Sequence, residues 1–141
     1  MDSGIVRELT GVLIKNIDAS IIKEKNIDLI LSGGAFNVSY LIGCLYFIRE
    51  MCERWLIIVN KVSTCSASSM IGLLFIVDKF DIFIEKMYEL LVGSFKKNRN
   101  VIFDEESLSS IVKIIEDVLP DDVISRINGR LYIFDSHQTP Y

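Results

Sequence analysis

Two corners of this sequence hold residues whose types and spacing could do chemistry. The first is Ser32-Gly33-Gly34 within "SGGAFN", and the second is the serine-rich stretch "STCSASS" at residues 63–69. Small residues at such corners let backbone N–H groups approach an anion closely. A serine hydroxyl beside a set of N–H donors is the arrangement that acyl transfer needs. The two corners together therefore predict an acyl-transfer site.

Each corner taken alone also has a plain structural interpretation. A Ser-Gly-Gly sequence is typical of a tight turn, and a serine before a helix commonly caps it by accepting from an early backbone N–H. A functional role for the corners is favoured over a purely structural one because each corner follows a predicted strand and precedes a predicted helix. Parallel strands end at the same edge of a sheet, which is where ligands and reacting groups collect.

The elements around the corners alternate between helix and strand. Helical spacing of apolar residues predicts five helices, at 5–14, 38–54, 70–80, 83–95 and 104–119. Short apolar runs predict three strands, at 27–31, 55–63 and 131–134. This alternation, with short apolar strands that lack a regular polar/apolar alternation, predicts an α/β fold in which helices cover both faces of a parallel sheet. Residues 1–141 are expected to form one domain.

Composition narrows the classes of function. Half of the 141 residues are apolar and the formal net charge is −4, with basic residues only in small groups such as Lys23/Lys25 and Lys96/Lys97/Arg99. Such groups are too small for a nucleic-acid footprint, so no nucleic-acid partner is expected. Three irregularly spaced cysteines do not form a disulfide framework and favour a reducing compartment. With no signal peptide or membrane-spanning run evident, we expect a soluble, intracellular (cytoplasmic) protein.

The order of the motifs resembles a known family. "LILSGGAFNVSYLIGCLYFIRE", then "VSTCSASSMIGLL" and later "GRLYIFDS" are similar to the N-terminal part of a patatin-like phospholipase domain. That family has a glycine-rich oxyanion loop, a G-x-S-x-G serine elbow, and a later Asp-Gly-[Gly/Ala] whose aspartate completes a Ser-Asp dyad. The resemblance covers residues 27–135 and leaves residues 1–26 as an N-terminal helix and connection.

The resemblance implies a role for each matching residue. Ser66 falls on the nucleophile, and the small residues Thr64 and Ser68 fall on the two glycines that flank it. Gly33, Gly34 and Ala35 fall on the oxyanion loop, whose amides would form the oxyanion hole. Asn37 stands at the loop's basic position and Val38 at its next glycine. If that position required a positive φ, a β-branched residue there would be strongly disfavoured.

The dyad aspartate is not found, because no aspartate in this chain is followed by glycine. Asp135 and His137 are the remaining candidates for a base. The resemblance nevertheless implies a patatin-like three-layer sandwich in truncated form, a lipid or acyl-ester substrate and no metal or other cofactor. Contact with a membrane surface is compatible with such a substrate.

Three functions are carried forward as hypotheses. The first is a shortened lipid acyl hydrolase with Ser66 as nucleophile. The second is a degenerate, non-catalytic module that binds lipid or protein, which the replaced glycines and the missing aspartate favour. The third is a nucleotide-binding domain with "SGGAFN" as a phosphate cradle, although the chain has neither G-x-G-x-x-G nor a Walker sequence.

Overall fold

The computed structural model describes residues 3–22, 25–34, 37–98 and 105–134. The helices found there are α1 (Ser3–Lys15), α2 (Val38–Glu53), α3 (Ser68–Ile76), α4 (Phe80–Asn98), α5 (Glu105–Val118) and α6 (Val123–Ile127). The strands are β1 (Asn26–Leu31), β2 (Ile58–Cys65) and β3 (Leu131–Phe134), and a 3-10 turn covers Ala19–Ile21. The predicted α/β class is therefore confirmed.

The three strands form one parallel sheet in the order β1-β2-β3. Leu31 at the end of β1 aligns with Thr64 of β2, and Cys65 at the end of β2 aligns with Phe134 of β3. The carboxyl ends of all three strands thus meet at one edge. This register places the corner after β1 and the corner after β2 side by side.

The core lies against one face of this sheet. Val62 of β2 and Ile71 and Leu74 of α3 are fully buried there. A glycine lets α3 approach the sheet closely, since a Cβ on Gly72 would lie 2.6 Å from the Thr64 Cγ2 atom. Real Cβ atoms do not come that close to another carbon, so this helix–sheet contact requires glycine.

The opposite face of the sheet is exposed in the described part of the chain. Along β1, Asp28 and Ile30 are exposed, while Leu31 on the other face is buried. Ile30 aligns with Ser63 of β2, which aligns in turn with Tyr132 of β3, and Ile30 is 84% exposed. Parallel sheets are normally covered on both faces. The described residues thus give a parallel α/β sheet with one solvent-exposed side that carries both polar and apolar side chains.

One helix end and one strand start differ from the sequence prediction because left-handed residues interrupt long apolar runs. The predicted helix 70–80 ends at Ile76, where Asp78 has φ +56° and the Lys79 N–H donates to the Leu74 carbonyl. This is a helix-ending turn without its usual glycine. Likewise, β2 begins at Ile58 rather than residue 55, because Trp55 has φ +57° and closes α2.

A charged cluster that the sequence did not reveal joins three helices. The Asp81 carboxylate on α4 accepts from the Tyr46 hydroxyl at 2.7 Å and Arg49 at 3.1 Å, both on α2, and from Arg7 of α1 at 2.8 Å. Burial alone would raise the pKa of Asp81, but the hydrogen bonds from Arg49 and Tyr46 outweigh it and lower that pKa. Burial raises the pKa of Tyr46, so its hydroxyl stays a donor. The cluster fixes α2 and α4, the two helices that flank the site described next.

Candidate active site

Ser66 lies on a strained turn between β2 and α3. Its φ is +55°, although it is not a glycine, and its side chain is exposed at the sheet edge. For an L-residue this left-handed conformation costs about 1–2 kcal/mol. A serine held in a strained strand-to-helix turn is the geometry of a nucleophile elbow. The residue predicted as nucleophile thus occupies the conformation that the prediction requires.

The elbow has no glycine on either side of Ser66. Ser68 replaces one of the two flanking glycines, and its contacts show why serine fits there. This side chain is fully buried, and its hydroxyl oxygen accepts from the Cys65 N–H at 3.1 Å. The same hydroxyl lies 3.0 Å from the Leu31 carbonyl oxygen and 2.8 Å from that of Cys65, so its proton can be donated to either. Ser68 thereby links the end of β1 to the end of β2.

Thr64 replaces the other flanking glycine, and it is only 1% exposed. Its hydroxyl lies 3.2 Å from the Ser69 hydroxyl oxygen and 3.3 Å from the Tyr132 carbonyl oxygen, so it has an acceptor on either side. Its methyl group occupies the space that Gly72 leaves free on α3. The turn therefore keeps its shape because a glycine further along the helix makes room for Thr64.

Sequence reasoning overlooked Gly72. A signal was present, because a single glycine interrupts an apolar helix one turn after Ser68. Glycine inside a helix lowers its stability relative to alanine, so a glycine at such a position often has a packing reason. Recognising it would have explained how the elbow accommodates a threonine.

Gly33 brings the first corner against the elbow. A Cβ at Gly33 would lie 2.9 Å from the Cys65 Sγ atom, 3.2 Å from the Cys65 carbonyl oxygen and 3.4 Å from the Ser66 Cβ atom. Only glycine allows an approach this close without a shift of the neighbouring atoms. The structure thus brings together Gly33 and Ser66, which the sequence predicted on separate corners.

A backbone hydrogen bond links the first corner to the residue before α2. Gly34 has φ +119°, and its carbonyl accepts from the Asn37 N–H at 3.1 Å. Val38 is the first residue of α2 and is not among the residues with positive φ. The conflict expected at Val38 does not arise, because Gly34 takes the left-handed conformation. Ala35, the third predicted oxyanion residue, lies outside the described residues.

A cavity with a volume of about 820 Å³ opens beside Ser66. Its lining includes Ser39 and Ser66 at the corners, Met70 on α3, Met87 on α4 and Ile111 on α5. None of the described residues that line it carries a formal charge at neutral pH. A mostly apolar cavity with a few polar groups at one place is typical of a site for an apolar small molecule.

The described residues do not supply a general base for Ser66. No carboxylate or imidazole among the described residues hydrogen-bonds to the Ser66 hydroxyl. Asp135 and His137, the two candidates from the sequence, both lie outside the described residues. Within the ranges that the structure covers, no cluster of His, Cys, Asp or Glu could hold a metal ion, and no helix is long and apolar enough to cross a membrane.

Comparisons with known proteins identified no relative of this chain. No family model, curated protein or solved structure matches the chain. The patatin-like resemblance consequently stays a prediction from the order of the motifs. The geometry around Ser66 is what supports a function.

Proposed function

We propose that this protein is a serine acyl-ester hydrolase of the patatin-like type, with Ser66 as its nucleophile and a lipid ester as its substrate. The observation that carries the proposal is that Ser66, held at φ +55° beside Gly33, opens onto an uncharged cavity of about 820 Å³. Trp55 and Asp78 have nearly the same φ where helices end, whereas Ser66 lies in a turn between a strand and a helix. Residues strained in this way are commonly found at active sites.

The chemistry begins with the Ser66 hydroxyl oxygen forming a bond to the ester carbonyl carbon. The π electrons of the carbonyl move to its oxygen, and the backbone N–H groups of Gly33 and Gly34 are the candidates to stabilise that negative charge. Collapse of this intermediate breaks the ester C–O bond, and the alcohol leaves with the proton that Ser66 gave up. Water then hydrolyses the acyl-serine, releasing a carboxylic acid and restoring the Ser66 hydroxyl.

The cavity is the proposed site for the acyl chain. An apolar cavity of about 150 Å³ holds one benzene molecule, which corresponds to about 25 Å³ per carbon atom. On that scale, a chain of about 18 carbons fills roughly 450 Å³, or about half of the cavity. Long-chain esters are therefore the expected substrates, because a short chain leaves most of the apolar lining in contact with water.

The exposed sheet face fits the same family. In a patatin-like three-layer sandwich, a second layer of helices would cover the side of the sheet that carries Ile30 and Tyr132. Both side chains are exposed in the described part of the chain, and a parallel sheet favours cover on both faces. This supports the sandwich as the proposed architecture.

The test is hydrolysis of p-nitrophenyl esters from acetate to palmitate. Ser66→Ala should lower kcat/KM by at least about a thousandfold. Ser69→Ala is the matched control, since Ser69 also lines the cavity and should retain most of the activity. Activity that rises with chain length and depends on Ser66 supports the proposal, whereas equal activity in wild type and Ser66→Ala contradicts it.

The proposed base is tested in the same assay. Asp135→Asn and His137→Gln remove the proton-accepting group of each candidate while keeping the side chain similar in size. Loss of activity in one variant but not the other assigns the base, because removing the base of a catalytic serine lowers the rate by several orders of magnitude. Full activity in both variants would mean that neither residue accepts the proton.

A second candidate function is a non-catalytic lipid-binding module. It is favoured by the lack of any described carboxylate or imidazole in contact with Ser66. In that case a fluorescent fatty acid should bind wild type and Ser66→Ala with equal affinity, and no ester should be hydrolysed. A bulky substitution inside the cavity, such as Ile111→Trp, should abolish that binding.

A further inference from the structure

A hydrogen bond between α2 and α4 lies close to the cavity without facing it. The Tyr46 hydroxyl on α2 donates to the Asp81 carboxylate on α4 at 2.7 Å. The Tyr46 ring also packs on Phe80 of α4, with 5.1 Å between the ring centroids. Tyr46 is buried, and neither it nor Asp81 is among the described residues that line the cavity. Any effect of this pair on a ligand must therefore pass through neighbouring side chains.

Each member of the pair has a cavity-lining neighbour one turn away on its own helix. Ile42 lies four residues before Tyr46, and Ile84 lies three residues after Asp81. Residues at these spacings share one face of a helix. Ile42 lines the cavity from α2, and Ile84 lines it from α4. A shift of Tyr46 relative to Asp81 would consequently move these two walls of the cavity relative to each other.

The two helices are otherwise held mainly by different neighbours. The helix α2 packs chiefly against α1 and α3, whereas α4 packs against α5, α3 and α1. Side chains connect α2 to α4 here, because Arg49 also donates to Asp81 at 3.1 Å and lies 4.9 Å from the Tyr46 ring centre. Hydrogen bonds to a charged group are short and strong. The bond from Tyr46 to Asp81 thus restricts how far apart the two helices lie.

We propose that Tyr46 is a positioning residue whose hydrogen bond to Asp81 fixes the width of the cavity between α2 and α4, and thereby makes the site selective for long acyl chains. The inference rests on the proposed function, because it explains how the site distinguishes one acyl ester from another. A long chain gains dispersion contacts with both walls only where the walls lie at the matching distance. An acetyl group is too short to gain much from either wall, so an acetate ester should not sense their separation.

The experiment compares Tyr46→Phe with Tyr40→Phe. The first variant keeps the ring that packs on Phe80 and removes only the hydroxyl, so folding should be retained. The matched control makes the same substitution on the same helix, at a tyrosine that is 75% exposed and does not line the cavity. The values of kcat and KM are measured for p-nitrophenyl acetate and p-nitrophenyl palmitate.

We expect Tyr46→Phe to raise KM for the palmitate ester about fivefold and to leave KM and kcat for the acetate ester unchanged. Tyr40→Phe should behave as wild type with both esters. A variant that merely loses folded protein has a lower apparent kcat for both esters and an unchanged KM. That pattern in Tyr46→Phe would overturn the inference, as would an equal KM for palmitate in the two variants.

A second variant tests the other end of the hydrogen bond. Asp81→Asn keeps the size of the side chain but removes its charge, so the bond from Tyr46 is weakened and KM for palmitate should rise as well. Because both substitutions act on one bond, Tyr46→Phe/Asp81→Asn should raise KM by less than the product of the two single effects. Strictly multiplicative effects would contradict a role for this bond.

A binding measurement separates this inference from the proposed function. In a Ser66→Ala background, Tyr46→Phe should bind a fluorescent palmitate analogue about fivefold more weakly than Tyr40→Phe. Equal affinities would overturn the positioning role even if Ser66 hydrolyses esters. If wild type hydrolyses no ester, the proposed function fails, while the fivefold difference in affinity would still support Tyr46 as the residue that sets the width of the cavity.

Discussion

The corner after β1 and the corner after β2 face each other at one sheet edge, yet they solve the same steric problem in opposite ways. The first keeps its glycines: Gly33 is in tight contact with the second corner, and Gly34 takes φ +119°. The second has replaced both glycines that flank Ser66 with hydroxyl-bearing residues, Thr64 and Ser68. Even so, the second corner keeps the strained turn.

The difference shows that an elbow needs glycine only where the surrounding atoms leave no room for a side chain. The positions that need glycine can therefore change from one elbow to another. Ser68 fits because its hydroxyl contacts backbone groups of β1 and β2. Thr64 fits because Gly72 leaves room for its methyl group. A corner can thus lose its motif and keep its geometry, whereas the first corner has no comparable replacement for Gly33.

The largest effect is expected from Gly72→Ala, because it fills the space that the Thr64 methyl group occupies in the second corner. The added Cβ would lie 2.6 Å from the Thr64 methyl carbon, and overpacking of this kind should lower the free energy of unfolding by about 3 kcal/mol. Thr64→Ser removes that methyl and keeps the hydroxyl, so the double variant should recover at least half of the loss. Urea denaturation of the four proteins measures the coupling, and strictly additive effects would refute the compensation.

A smaller loss, about 2 kcal/mol, should follow from Ser68→Ala, because it leaves the part-buried Cys65 N–H without its hydroxyl acceptor. Ser69→Ala is the matched control on the next residue, where the side chain is only partly buried. We expect it to change the free energy of unfolding by less than about 1 kcal/mol. Comparable losses in the two variants would show that Ser68 does not hold the corner together.

The first corner is tested by Gly33→Ala. Its Cβ would press on the Cys65 sulfur and carbonyl, so we expect a loss of stability of about 1–2 kcal/mol and a displaced loop. Gly43→Ala in α2 is the control, since nothing lies within 4 Å of its added Cβ, and alanine there should stabilise by about 0.5–1 kcal/mol. If ester hydrolysis survives Gly33→Ala unchanged, the loop does not form the oxyanion site.

The smallest effect, and one of opposite sign, is expected from Ser66→Gly. Glycine adopts a positive φ without strain, so the variant should be more stable than wild type by up to about 1 kcal/mol. Activity should be lost at the same time, which is the signature of strain kept for function. Thermal unfolding measures the shift, and a variant less stable than wild type would mean that the Ser66 side chain stabilises the turn.

Much of this arrangement could be predicted from sequence because its signals are local. Apolar runs ending in small residues indicated β1, β2 and the two corners, and parallel topology implied that Gly33 and Ser66 would meet. What could not be predicted depends on contacts between distant residues. The space that Gly72 provides for Thr64 and the binding of Asp81 by Tyr46 and Arg49 arise only when separate elements pack.

Leu108 of α5 shows a second reason why the sequence does not predict every feature of the site. Leu108 shares the helical spacing of the other apolar residues of α5, which is typical of a side chain that faces the core. In the structure it is 50% exposed, because α5 turns part of its apolar side toward the cavity opening instead of the core. The spacing of apolar residues shows which side of a helix is apolar, but it does not show which part of the protein that side contacts.

The central claim is that Ser66 is an activated nucleophile, and covalent labelling tests it most directly. Folded protein is incubated with a fluorophosphonate probe, and the adduct is measured by intact mass and located by peptide mapping. The account predicts one adduct per chain, on Ser66, that is lost in Ser66→Ala and in urea-unfolded wild type. No adduct on folded wild type, or an equal adduct on Ser66→Ala, would contradict it.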